Sequence, residues 1–282
     1  MNCAWHAYIN LIPPRFRNDV DKFGKELLQE VRLRLGRPPE LILKHEHIWL
    51  DQPVEIQELE FTVNVASRYS PWTAGSMRQG FLTSVGGHRV GICGEVVMRE
   101  NSVTSVQIVT SVSIRVARDF PGIAQRAKDL VGSVLIVGSP GRGKTTLLRD
   151  VIRIWDGQDR GMIAVVDERR EIFPMSGNKF CFQPGRRTDV LSGCSKVLGI
   201  EMLLRTMTPS VIAVDEITAR EDCEAVLQAG WCGVQLLATV HAENRRELYS
   251  RPIYEPLIQS GLFQYLIVLQ EDKSWTIERM DQ

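Results

Sequence analysis

The sequence is missing several features that would each have fixed its class. No window approaches the roughly 18 uninterrupted apolar residues of a membrane-spanning helix. No early stretch combines a charged start, an apolar run and a small-residue cleavage site. A cytoplasmic chain that meets a membrane only through a partner is therefore expected. Cysteine is sparse: Cys3, Cys93, Cys181, Cys194, Cys223 and Cys232 are six in 282 residues. None of them forms a C-x-x-C pair, and no histidine cluster completes a zinc pattern. Reduced thiols rather than a disulfide scaffold follow. Net charge is absent too, with 34 Lys+Arg against 34 Asp+Glu, so bulk attraction to a polyanion is not expected, a local basic patch stays open, and nucleic acid is not an expected partner. There is no internal repeat and no low-complexity tract.

What is present is ordinary globular composition, 44% hydrophobic, with one change of pattern along the chain. Residues 1–118 mix short helical and strand patterns and read as an N-terminal α+β domain. Asp19 to Leu35 has apolar residues at three- and four-residue spacing and is expected to be helical until Gly36-Arg37-Pro38-Pro39 stops it. Leu41–Leu43 with Ile48–Leu50 reads as a strand pair. Phe81–Thr83 and Arg89–Ile92 flank Gly86-Gly87 as a hairpin, and Val112–Val116 is a further strand. Asp119-Phe120-Pro121-Gly122 carries turn chemistry, which places a linker at 119–132. Residues 133–282 alternate strand and helix, as in a parallel sheet with right-handed crossovers. Such sheets collect ligands at the carboxyl ends of their strands. Asp167, Asp215 and His241 all fall at such ends.

Gly138-Ser139-Pro140-Gly141-Arg142-Gly143-Lys144-Thr145, followed by Thr146, fits the phosphate-binding pattern G-x-x-x-x-G-K-[ST] in full. Its glycines let successive amides face phosphate oxygens, and the helix starting near Lys144 adds its positive end. Lys144 is expected on the β- and γ-phosphates, and Thr145 on Mg²⁺. Val211-Ile212-Ala213-Val214-Asp215-Glu216 is an apolar strand ending in two carboxylates, with Asp215 expected in the Mg²⁺ shell and Glu216 as the general base. A glutamate directly after the metal aspartate suits hydrolysis better than transfer to a small molecule, and no N-K-x-D guanine reader is present. A Mg²⁺-dependent ATPase, with ATP and Mg²⁺ as cofactors, is the expected activity.

Three further groups stay open on the residues alone. Asp167-Glu168, followed by Arg169-Arg170-Glu171, is either a second acidic element near metal or water or a solvated charge run. Its strand is expected to neighbour the strand of the phosphate loop. His241, in Thr239-Val240-His241, either senses the γ-phosphate, contacts a neighbouring subunit, or is structural. Arg89, Arg115 and Arg118 are either surface ion pairs or sources of an arginine that neutralises developing charge.

The set Gly36-Arg37-Pro38-Pro39-Glu40, Gly80-Phe81-Leu82-Thr83 with Gly86-Gly87-His88-Arg89-Val90-Gly91, Gly138 to Asp150, and Val214-Asp215-Glu216-Ile217 resembles the stage III sporulation protein AA family. That family resembles a branch of the type II/type IV secretion ATPases. The resemblance implies an α/β fold, a RecA-like P-loop ATPase core behind a smaller N-terminal α+β domain. It implies an oligomeric motor, a homo-hexamer, on the mother-cell side, energising a channel or secretion complex between mother cell and forespore through membrane-protein partners. It places Asp167, Glu168 and Glu171 in an acidic box and His241 in a histidine box, and it makes Arg115 the first choice among the N-terminal arginines. The core has no metal-binding tetracysteine, and alanine follows His241. Two other functions share these residues: a RecA-like nucleic-acid motor, and an assembly protein gated by nucleotide binding alone.

Overall fold

Asp19–Leu35 carries two periods at once, and the structure resolves the conflict partway along. In the computed structural model, which describes residues 1–68, 80–99, 102–158 and 160–280, Arg17–Asp21 and Gly24–Leu27 are helical. From Leu28 the chain is extended as β1 (Leu28–Arg34). Leu28, Val31 and Leu33 are buried and Arg32 is exposed. Pairing on both sides of β1 outweighs the local helical spacing, because strand preference follows packing against neighbours more than intrinsic propensity.

The strands that follow are β2 (Glu40–Leu43), β3 (His47–Trp49), β4 (Phe81–Thr83), β5 (Arg89–Arg99) and β6 (Ser102–Arg115). With β1 they form one antiparallel sheet in the order β3-β2-β1-β6-β5-β4. Gly86 and Gly87 make the expected turn between β4 and β5 with φ +80° and +82°, a conformation glycine adopts without Cβ strain. The helix Ile56–Ser67, not foreseen in the sequence, buries Leu59, Val63 and Ala66 in the same core as Val31, Leu41, Val90 and Ile114.

The second sheet contains β7 (Ser133–Val137), β8 (Ile163–Asp167), β11 (Thr188–Ser192), β12 (Val211–Ile217), β13 (Gln235–Val240), β14 (Phe263–Leu269) and β15 (Trp275–Arg279). Its order is β11-β8-β12-β13-β7-β14-β15, parallel throughout except for the final β14–β15 pair. Every residue of β7 and β8 is buried, as expected of strands covered on both faces. The strand ending in Asp167 is not the neighbour of β7, contrary to the sequence reading. β12 and β13 lie between them. The helix Lys144–Asp156 stands where the sequence pattern placed one, and Lys196–Thr206 and Arg220–Trp231 continue the expected alternation of strand and helix.

The chain forms two compact units. One contains Met1–Asp119 together with Pro174–Phe182; the other contains Phe120–Phe173 and Gln183–Gln282. The short hairpin of β9 (Met175–Ser176) and β10 (Lys179–Phe180) therefore belongs to the first unit. Of residues 119–132, expected as a linker, Asp119 belongs to the first unit and the rest to the second, where Trp155 Nε1 donates to the Ala127 carbonyl at 3.1 Å.

Candidate nucleotide site

The glycine-rich loop leaves β7 at Val137 and enters the helix Lys144–Asp156. Gly141 and Gly143 have φ +77° and +97°, so the loop's curvature depends on glycine at both places. The first amides of the helix have no intrahelical partner and point into the loop with the positive end of the helix dipole. Lys144 is only 6% exposed. Its Nζ donates to the Gly138 carbonyl at 2.7 Å and the Ser139 carbonyl at 3.1 Å. Burial lowers its pKa, while the charges of Asp215 and Glu216 act in the opposite direction.

Asp215 sits near the end of β12, and both its oxygens are engaged. Thr145 Oγ1 donates to Oδ2 at 2.6 Å, and Thr239 Oγ1 donates to Oδ1 at 2.5 Å. The fully buried Thr239 hydroxyl also accepts from the Glu216 N–H at 2.8 Å. Glu216 has φ +49°, within an irregularity of the β12–β13 register between Val214 and Ile217. That left-handed turn, unfavourable for a residue with a Cβ, brings Glu216 Oε1 onto His241 Nε2. Glu216 Oε2 accepts from Arg169 Nη1 at 2.5 Å. His241 Nδ1 lies 2.9 Å from Lys144 Nζ. An ammonium only donates, so His241 accepts through Nδ1 and carries its proton on Nε2, facing Glu216. Burial would raise the Glu216 pKa, but the His241 hydrogen bond and the Arg169 charge prevail and hold it below the usual carboxylate range.

The acidic pair is divided in its contacts. Asp167, 1% exposed, accepts from the backbone N–H groups of Glu171 at 2.8 Å, Ile172 at 3.1 Å and Phe173 at 2.9 Å. Burial raises its pKa to about 6 against the downward pull of these amides. Its carboxylate thus fastens the turn after β8. Glu168 accepts from Lys196 Nζ, which also lies 3.4 Å from Asp222 Oδ2. A cleft is lined by Asp167, Glu168, Arg169, Glu171, Lys196, Asp215 and Glu216. The sequence reading did not single out Arg169 or Lys196. Their only sequence signal is a charge near a strand end or a helix start, and the partners that give them meaning come from other elements.

Of the expected site residues, Lys144, Thr145, Asp215, Glu216 and His241 share one hydrogen-bonded network, with Asp167 and Glu168 along the adjoining cleft. Gly138, Ser139, Pro140, Gly141, Arg142 and Gly143 form the loop, and Thr146 continues the helix. Arg142 Nη2 pairs with Glu271 at 2.9 Å. Arg115 belongs to the first unit, on β6, where its Nε lies 3.3 Å from Glu30 and its side chain is 65% exposed. Arg118 is engaged within that unit by the carbonyls of Lys25 and Leu28, and the Arg89 guanidinium covers the Phe81 ring at 3.9 Å.

The residues fit the expected ligands. Thr145 and Asp215 offer a hydroxyl and a carboxylate side by side, hard oxygen donors of the kind Mg²⁺ takes. Among the described residues no group of three or more His, Cys, Asp or Glu could hold a metal.

The model of the family "Sporulation stage III, protein AA" matches residues 12–278. Stage III sporulation protein AA of Bacillus subtilis is 32% identical over 276 residues, covering 93% of this chain and 90% of that protein. The protein SEEDLING PLASTID DEVELOPMENT 1 of Arabidopsis thaliana is 31% identical over 264 residues, 89% of this chain but 36% of that one. Among solved structures, the ATPase DotB of Legionella pneumophila superposes with a TM-score of 0.58 at 15% identity, covering 96% of this chain and 82% of that chain. The pilus retraction motor PilT, solved with bound ADP, gives 0.57 at 15% identity, with 94% and 82% covered. The fold is that of the RecA-like secretion ATPases.

Proposed function

The chain belongs to the sporulation stage III protein AA family, and from that premise we propose that it is a Mg²⁺-dependent ATPase. We assign it to the cytoplasm on the mother-cell side, where a homo-hexamer docks on membrane proteins and energises a channel or secretion complex leading to the forespore. The observation that carries the enzymatic part is the 2.6 Å contact between Thr145 and Asp215, within the network that also holds Lys144, Glu216 and His241.

In this reading the amides from Gly138 to Thr146 hold the phosphates. Lys144 exchanges the Gly138 and Ser139 carbonyls for phosphate oxygens, which offset its buried charge better than neutral carbonyls do. Thr145 and Asp215 hold Mg²⁺, which neutralises charge on the phosphate oxygens. Glu216, ionised at neutral pH, accepts a proton from the attacking water, and the His241 Nε2–H fixes its orientation. Thr239 sets the distance between Asp215 and the Glu216 backbone. Asp167 fixes the turn that carries Glu171, and Glu168 is steadied by Lys196. Arg115 is proposed to complete the site of its own or a neighbouring subunit.

The test is phosphate release with MgATP. Lys144→Ala should fall to background with an unchanged circular dichroism spectrum. Glu216→Gln should still bind ATP but turn over about 10²- to 10⁴-fold more slowly, the range for loss of a general base. Full turnover by Lys144→Ala would sink the enzymatic reading. Restoration of sporulation by Glu216→Gln would instead favour an assembly role gated by binding.

A further inference from the structure

Three passages of chain join the two units: Asp119 to Phe120, Phe173 to Pro174, and Phe182 to Gln183. Within the second unit all three are tied to one helix, Lys144–Asp156, which begins at the glycine-rich loop. At the first passage, Asp150 accepts from the Gly122 N–H at 2.9 Å and the Ala124 N–H at 2.7 Å. At the second, Arg149 donates to the Glu171 carbonyl at 2.7 Å and to the Ile172 carbonyl, and the Arg153 guanidinium lies 5.8 Å from the Phe173 ring centre. At the third, Arg153 Nε donates to the Gln183 carbonyl at 2.8 Å. Asp156 then accepts from the N–H groups of Arg186 at 2.9 Å and Arg187 at 2.7 Å.

Core packing alone does not call for these charges. The helix is already anchored by Leu147, Leu148, Val151, Ile152 and Trp155, all buried. Arg149 and Asp150 are 4% and 2% exposed. Burying two charges is costly, and apolar residues in their place would commonly stabilise a core as well or better. Their hydrogen bonds go to backbone groups at the points where the chain crosses between units.

We propose that Arg149, Asp150 and Arg153 are positioning residues that couple the occupancy of the glycine-rich loop to the first unit. The helix is a rod about 20 Å long at 1.5 Å per residue. A shift of its first turn when phosphates bind beside Lys144 displaces all three passages together. This rests on the nucleotide reading of the loop, and it supplies that reading with an output: binding at one end of the helix is delivered to a unit that contributes no residue to the loop.

The experiment is hydrogen exchange on the full chain, with and without Mg²⁺ and the β,γ-imido analogue of ATP, beside calorimetric titration with the same analogue. In the wild type, amides in 116–119 and 174–182 should change exchange rate by about threefold or more on binding. Asp150→Asn replaces one of two acceptor oxygens with a donor facing an N–H. Arg153→Gln shortens the reach to Gln183 at a partly exposed position, so it serves if Asp150→Asn fails to fold. Each should bind the analogue within about threefold of the wild-type Kd yet lose most of the exchange response at its own passage. Ser133→Ala removes the bond from the Leu236 N–H to Ser133 Oγ, away from every passage, and should keep the full response. Wild-type responses in both variants, or a wild type that binds without any response in 116–119 and 174–182, would overturn the coupling. Absence of binding by the wild type would overturn the nucleotide reading itself, and the coupling with it.

Discussion

Thr239→Val is the most informative single change in the network, because it alters neither charge nor volume by much. The hydroxyl is fully buried and makes two bonds, accepting from the Glu216 N–H at 2.8 Å and donating to Asp215 at 2.5 Å. Valine leaves a buried N–H and one carboxylate oxygen without this partner. An orphaned buried polar group costs about 1–3 kcal/mol, with the charged one at the upper end. A total of about 3 kcal/mol is expected, or a fall in Tm of roughly 6–12 °C. The effect on turnover has a separate origin. Glu216 is held at φ +49°, a conformation that costs a non-glycine residue about 1–2 kcal/mol. The Thr239 bond is one of the contacts that holds it there. Without that bond the backbone relaxes and the carboxylate leaves its place on His241, so kcat should fall about 10- to 100-fold, at 1.4 kcal/mol per factor of ten. The Kd for MgATP should move far less, since the loop amides and Lys144 are untouched. The assays are thermal unfolding, steady-state phosphate release and calorimetric titration. A variant with kcat within about twofold of wild type would refute the claim that Thr239 positions the base.

Two other expectations follow from named groups. His88 is fully buried, with Nε2 3.0 Å from the Ala4 carbonyl and Nδ1 accepting from the Ala117 N–H at 3.0 Å, and burial lowers its pKa from 6.5 to about 4. The unfolded chain therefore binds this proton first, so the His88 contribution is fully present above about pH 6.5 and is lost as pH falls toward 4, up to about 3 kcal/mol at 1.36 per unit; urea unfolding between pH 7.5 and 5 should show the loss in the wild type and a flatter profile in His88→Gln. Specific ATPase rate should rise steeply with protein concentration and should fall with Arg115→Ala without loss of the fold; a rate per chain independent of concentration would argue against a site completed between subunits.

The fold was legible where one period ruled and illegible where two competed. Val134–Val137 and Ile163–Val166 are unbroken apolar runs, and a strand buried on both faces tolerates little else. From Leu28 to Leu35, by contrast, Leu28, Val31 and Leu35 satisfy helical spacing, while Val31 and Leu33 alternate with Arg32 and Arg34. Only the partners on β2 and β6 decide between the two. Thr188–Ser192 gave no strand signal because, at the edge of the sheet, four of its five residues are only partly buried. It carries Asp189 rather than a run of apolar side chains.

At the candidate site, the legible part was whatever a single stretch of chain must supply. Gly138 to Thr146 and Val211 to Glu216 are contiguous, so their chemistry can be read in order. The relation between them depends on sheet order, which no local pattern encodes. Because β13 lies between β7 and β12, whatever ends β13 stands between the lysine of the loop and the carboxylates of β12. Thr239 and His241 occupy that place: Thr239 bonds to β12, through Asp215 and the Glu216 backbone, and His241 bonds on both sides, to Lys144 and to the Glu216 side chain. The expectation that β8 neighbours β7 would have set the Asp167 carboxylate beside the loop instead. With β8 beyond β12, that carboxylate is free to fasten the turn at 171–173, the same turn that Arg149 grips from the other side. Strand order thus accounts at once for the bridging role of His241 at the end of β13 and for the turn-fastening contacts of a carboxylate whose sequence context matched that of Asp215.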